Sequence, residues 1–254
     1  MEQIWAKSDP FLRQQHIIGM ITRMLVHEGA TRSPTVDIVL ATCLAFVAGG
    51  VNSAGFVAFG YFSANMTGNV SMISDHISLS TPVIALAFAT IVAMFIIGAT
   101  VAALFIETGK RRHLMNIYAA TLLCEAALLI AVGLYHFGAG RTANGLLTAG
   151  ILSLTMGIQN AASTRISDGR VRTTHVSGVA TDLGVGIALL IHRRRPTDTP
   201  QILERLKLHT ATILSFLLGG IAGVSGFRFT GGLVFCCLGL LLLGICGRSV
   251  LRRQ

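Results

Sequence analysis

Apolar residues gather in six stretches of this chain, at roughly 36–57, 81–106, 114–136, 143–162, 208–227 and 229–247. Several reach the roughly 20 residues that a helix needs to cross a hydrocarbon core about 30 Å thick. The pattern predicts an all-α, polytopic membrane protein with six transmembrane helices. Two segments break the apolar rhythm. Asn65-Met66-Thr67-Gly68-Asn69 precedes Val70–Ser80, which is too short and polar to be a span. His175-Val176-Ser177-Gly178 precedes Val179–Ile191, apolar but only about 13 residues long, a length that suits re-entrant or interfacial helices. Irregular backbone at membrane depth is tolerated only where it lines a cavity or is buried in protein. Two half-helices are therefore expected to dip in from opposite faces, with the two polar strings approaching each other near the midplane.

The two broken segments look like copies of one unit. The first reads GGVNSAGFVAFGYFSANMTGNVSMI around Asn52, and the second MGIQNAASTRISDGRVRTTHVSGVATDL around Asn160. Each carries an asparagine at the end of a span and then a hydroxyl-glycine step, Thr67-Gly68 or Ser177-Gly178. The likeness extends to Phe95-Ile96-Ile97-Gly98-Ala99 and Phe216-Leu217-Leu218-Gly219-Gly220. Gly98/Ala102 and Gly219/Gly223 are small-residue faces that let helices approach closely. A repeat of about 36–137 and a second of about 143–250 follow, within a single membrane domain over 36–250. Residues 1–35 form an N-terminal arm, with His16–Val26 as a candidate interfacial helix.

Composition agrees with the pattern. Of 254 residues, 52% are hydrophobic and 12% charged, and mean hydropathy is +0.69; a soluble domain would carry about 25% charged residues. The net charge of +9 is assigned to cytoplasmic loops, not to nucleic acid, because basic residues collect on the inner side of membrane proteins. Lys7, Arg13, Arg23 and Arg32 precede the first span. Lys110, Arg111 and Arg112 follow the second, and Arg165, Arg170, Arg172, Arg193, Arg194, Arg195, Arg205 and Lys207 follow the fourth. Arg248, Arg252 and Arg253 close the chain. Both termini are thus expected inside, leaving only Arg141 and Arg228 outside. Three spans per half is an odd number, so two homologous halves would be inserted upside down relative to each other. The five cysteines lie within apolar runs, where small hydrophobic packing is expected and neither a disulfide framework nor a metal site.

Candidate chemistry gathers at the breaks. Asn65, Thr67 and Ser177 are placed at or just before helix N-termini, where side chains cap free N–H groups. The same groups, with the positive end of the helix dipole, favour an anionic or electron-rich ligand. Asn52, Asn65, Thr67, Gly68, Asn69, Gln159, Asn160, His175, Ser177 and Gly178 form the expected substrate-binding set. A purely structural capping or bridging role stays open for each residue taken alone. Glu125 sits mid-span, where a carboxylate is expensive and by default a functional hypothesis. Proton coupling and a neutral structural carboxyl are equal readings of it. Asp182, one turn into the second half-helix, is the second proton-coupling candidate, with Arg170 or Arg172 as its expected ion partner.

AGGVNSAGFVAFGYFSANMTGNVS and MGIQNAASTRISDGRVRTTHVSGVATDLG resemble the two hallmark stretches of the YoaK family (the DUF1275 domain), over roughly residues 36–250. The resemblance implies a bacterial multi-pass inner-membrane protein and no established biochemical role. In that family an Asp often follows the first span and Thr stands in place of Ser177. Here Asn52-Ser53 and Ser177 stand, so a role tied to that acid does not carry over. The leading expectation is a secondary transporter of a small polar or anionic solute working by alternating access. A passive channel of the same architecture is the alternative. An intramembrane enzyme using Ser177 and His175 is disfavoured, since residues two apart rarely place a base for its neighbour. A regulatory membrane protein has no positive feature, and neither catalysis nor a cofactor is expected. The lipid bilayer and a small-molecule or ion substrate are the expected partners, with a homo-oligomer left open and nucleic acid excluded.

Overall fold

A computed structural model describes residues 25, 28, 29, 32–114, 116–140, 143–192 and 199–251, with the side chains of 248–251 left out. The interfacial helix expected over His16–Val26 falls outside these residues apart from Leu25, as do the arginines at 141, 193–195, 252 and 253. The described residues form eight α-helices: α1 Pro34–Phe59, α2 Met66–Ser78, α3 Pro82–Arg111, α4 Ile117–Ala139, α5 Gly145–Ser167, α6 Val176–Ile191, α7 Thr199–Thr230 and α8 Leu233–Leu251. Four of them (α1, α3, α4 and α7) are long and apolar enough to cross a membrane. α5 has comparable length but carries Thr148, Ser153, Thr155, Gln159, Asn160, Ser163 and Ser167, all buried within the bundle. Its polarity is spent on interior hydrogen bonds. α8 is the shortest of the long helices, with its apolar part over Leu233–Gly247.

Local chemistry sets the ends. Ser33 accepts a hydrogen bond from Val36 N, and Pro34 opens α1 at the position where proline's missing N–H costs nothing. Gly60, at φ 78°, closes α1 in the left-handed conformation and returns its N–H to Phe56 O. Pro82 opens α3 in the same way.

Glycines decide which helices meet. A Cβ at Gly49 would overlap the carbonyl oxygen of Phe216, and one at Gly219 would overlap that of Phe46. α1 and α7 therefore cross with backbones in direct contact. Phe46 faces Gly219 and Gly50 faces Gly223, so the two helices run parallel. α3 and α5 meet in the same manner, with Gly98 against Leu154 O and Gly157 against Phe95 O. They too are parallel, since the Ser153 hydroxyl donates to Ile91 O one turn earlier (2.8 Å). α4 and α8 cross antiparallel through Gly133 against Cys236 and Gly239 against Ala126 O. α1 also packs on α5, α2 lies only on α3, and α6 only on α7. Along the chain the six long helices alternate in direction.

The two ends of the bundle differ. One is basic: Arg32 and Arg170 both bind Asp37 (2.6 and 3.1 Å), Lys110 binds Glu28, and Arg165 binds Glu107 (2.9 Å). The other is aromatic, with Phe56 stacked on Phe62 at 4.1 Å, Tyr61 edge-on to Phe88, and Phe59 against His136.

Candidate functional site

Each break in the helical pattern is sewn to the bundle by a buried asparagine. At the aromatic end, residues 60–65 leave α1 and turn back toward it. The N–H of Ala64 donates to Asn52 Oδ1 across 2.9 Å, in a site closed to solvent. At the basic end, residues 168–175 turn back from α5, and the Thr174 hydroxyl donates to Asn160 Oδ1 at 2.8 Å. Ala64 and Thr174 stand 110 positions apart, the same spacing that separates Thr67-Gly68 from Ser177-Gly178. Neither asparagine ends its helix, contrary to expectation. α1 runs on to Phe59 and α5 to Ser167, because each carboxamide bonds a later segment and leaves its own helix ladder intact.

A second carboxamide seals each break. Asn69 Nδ2 donates to Phe62 O (2.8 Å), while Gln159 Nε2 donates to both Leu44 O and the Thr173 hydroxyl (3.0 Å each). Asn69 Oδ1, Gln159 Oε1 and the Ser63 hydroxyl are buried with no hydrogen-bond partner. Ser63 and Thr173 also match at the spacing of 110, and the expected site set lacked both. Only alignment of the two breaks on Thr67-Gly68 and Ser177-Gly178 would have found them.

The half-helices begin one turn earlier than expected, so the polar strings form their first turns and the breaks lie upstream. Asn65 is the N-cap of α2 and accepts from Gly68 N at 3.1 Å. Thr67 is inside the helix and exposed, and caps nothing. His175 stands at the N-cap of α6 without a side-chain cap bond, and Ser177 likewise caps nothing. Thr67, Ser71, Ser74 and Ser78 lie along one exposed stripe of α2, matched on α6 by Ser177 and Thr181.

The structure does not bring the two strings together. Leu44, beside Thr173, and Asn52, beside Ala64, are eight residues apart on α1, or about 12 Å along its axis. Ala48, Val51, Leu152 and Met156 lie between those levels and are fully buried. α2 and α6 make no contact with each other. The expected face-to-face cradle is thus absent from this conformation, because α1 packs straight onto α5 and fills the space with aliphatic side chains.

Glu125 is fully buried and, among the described residues, neither carboxyl oxygen has a hydrogen-bond partner. Its helix packs on α8, α5 and α3 but on neither half-helix, so it stands apart from the breaks. Among the described residues Asp182 forms no ion pair; Arg170 is taken by Asp37.

A cavity of about 480 Å³ opens at the basic end between α6, α7 and residues 168–172. Arg172, Asp182, Arg205 and His209 bring their polar groups to it, over walls of Val179, Val185 and Leu206. The Arg172 guanidinium lies 3.9 Å from where a Cβ on Gly178 would stand, against the open first turn of α6. Partial burial, and then the Arg172 charge, lower the His175 pKa from its ordinary value. In the sequence Arg205 counts only as a topology charge and His209 is not singled out, although Gln201, Arg205 and His209 recur every four residues, a polar face at the start of an apolar helix.

With this geometry in hand, comparison with known proteins is informative about class. The family described as "Protein of unknown function (DUF1275)" matches residues 40–247. The UPF0700 transmembrane protein YoaK of Bacillus subtilis (strain 168) is 25% identical over 183 residues, covering 72% of this chain and 80% of YoaK. No solved structure matches.

Proposed function

The chain belongs to the DUF1275 family of membrane proteins, and we propose that it is a secondary transporter carrying a small polar or anionic solute by alternating access. Six spans form two three-span halves inserted in opposite senses across the bacterial inner membrane. The observation that carries this reading is the pairing of the helices. Exchanging α1–α4 with α5–α8 turns the α1–α7 crossing into α5–α3, and α2 on α3 into α6 on α7. The contacts α4–α8 and α1–α5 map onto themselves. The exchange holds to the residue: Gly49 on Phe216 becomes Gly157 on Phe95, and Gly219 on Phe46 becomes Gly98 on Leu154. Alternating helix direction gives the halves opposite orientation. Such paired, broken segments at a repeat interface are where transporters of this build bind their solutes.

The basic end is the cytoplasmic one, by the distribution of Lys and Arg. The solute is handled at the half-helix N-termini: Asn65, Thr67 and Gly68 from outside, His175, Ser177 and Gly178 from inside. Asn52, Asn69, Gln159 and Asn160 hold the breaks in place. Leu152, Met156 and Val51 act as the seal between the two sides, which favours a carrier over a continuous pore. Glu125 and Asp182 are the proton-coupling candidates. The test is counterflow in proteoliposomes with a broad solute panel. Saturable exchange that falls about tenfold or more in Thr67→Ala and Ser177→Ala supports the reading. No exchange of any solute, with both variants silent in cells, overturns it.

A further inference from the structure

We propose that the cleft between α6 and α7 binds a zwitterion, its oxyanion against Arg172 and the first turn of α6, and its ammonium group against Asp182. The inference deepens the transport reading by naming the solute class and its cytoplasmic site.

Several independent observations converge on it. The lining carries both signs of charge, Arg170, Arg172 and Arg205 with Asp168 and Asp182. Arg170 is turned to Asp37, which it shares with Arg32, and to Gly29 O. A lining with carboxylates as well as guanidiniums favours a zwitterion over a bare anion, because a lone negative charge meets both. Arg172 and Asp182 nonetheless stand at different points along the length of α6. The N-terminus of α6 lacks a side-chain cap, so its free N–H groups present partial positive charge. Arg172, bonded only to Gly169 O (3.1 Å), adds a full positive charge at the same place, and Gly178 keeps that backbone accessible. Asp182 is four residues further along α6, on the same face and about 6 Å away. It forms no hydrogen bond or ion pair among the described residues, and neither does Arg205. His209 Nδ1 is shielded from solvent and has no partner, a polar atom in this cleft that a bound ligand would satisfy. At the other break Asn65 caps α2 and no Lys or Arg lies within residues 58–80, so the feature belongs to one side alone.

An oxyanion and an ammonium a few ångströms apart describe both an amino-acid-like solute from the cytoplasm and a phosphatidylethanolamine headgroup from the inner leaflet. Among the described residues α6 packs only on α7, which leaves both sources to be distinguished by experiment.

Purified full-length protein in detergent, followed by thermal unfolding, separates the cases. L-alanine, acetate, methylammonium and phosphatidylethanolamine are the probes. The proposal expects alanine or phosphatidylethanolamine to raise Tm with half-saturation at least tenfold below that of acetate or methylammonium. Asp182→Asn should abolish that advantage while keeping the acetate response. Arg172→Gln should weaken alanine, phosphatidylethanolamine and acetate alike, and Arg172→Lys should restore part of each. Arg165→Gln, at an arginine outside the cleft, should change nothing. A response to phosphatidylethanolamine alone assigns the site to lipid. Acetate equal to alanine in the unmodified protein, or no response to any probe beyond that to sodium chloride, overturns the proposal. Exchange in proteoliposomes that ignores Arg172 and Asp182 sinks this site and spares transport. Binding without exchange does the reverse.

Discussion

Asn52 and Asn160 hold matching positions but different burdens. Asn52 satisfies a buried backbone N–H that has no other acceptor among the described residues; Asn160 satisfies a threonine hydroxyl that is free to turn elsewhere. Truncation to alanine should therefore be unequal. Asn52→Ala strands a buried donor and should cost about 1–3 kcal/mol, against about 1 kcal/mol for Asn160→Ala. Reversible unfolding in detergent would read both, and equal losses would contradict the bonding described. The sequence made the asparagines visible because polar residues stand out in apolar runs. Their partners were hidden, since a backbone N–H at Ala64 leaves no mark in composition. The Asn65 cap was legible for the opposite reason: capping residue and helix start are neighbours in the chain. Thr67 and Ser177 read as caps from the same rule, and the rule failed because Asn65 and His175 already held those places.

Helices form where apolar runs predicted them, and glycine placement chooses their partners. The contrast between crowded and open glycines makes a prediction of sign. Gly219→Ala drives a methyl into Phe46 O and should destabilise by about 1–3 kcal/mol as α1 and α7 part. Gly244→Ala meets nothing within 4 Å in the middle of α8, and should stabilise by about 0.5–1 kcal/mol through reduced backbone freedom in the unfolded chain. Melting both variants beside the parent checks the pair, and a shared sign refutes it. Element boundaries were harder to read than element positions. α7 begins at Thr199, well before its apolar run, because its first turns form a cleft wall and need polar residues there. The small-residue faces at Gly98 and Gly219 were legible as contact surfaces. Which helix each would meet was not, because any close-approaching backbone suits a glycine.

At the scale of the molecule, the duplicated segments and the basic loops foretold alternating helices and a charged end. They did not foretell the depth of the breaks. That depends on how α1 and α5 fill the space between Leu44 and Asn52, and aliphatic residues there could equally have lined an open cavity. Glu125 belongs to this scale as well, buried without a partner in α4 and remote from both half-helices. A neutral carboxyl there costs far less than a carboxylate. If protonation at Glu125 drives the cycle, Glu125→Gln should keep solute exchange and lose accumulation driven by a pH gradient. Unchanged pH-driven uptake assigns the carboxyl a structural role only. The most direct test of the two inverted halves is labelling at the ends of the half-helices. Cysteines introduced at Ser78 and His192, in a background free of the native ones, would be treated with a membrane-impermeant maleimide in intact cells. The account predicts that Ser78→Cys labels at once and His192→Cys only after permeabilisation. Labelling of both from the same side would contradict it.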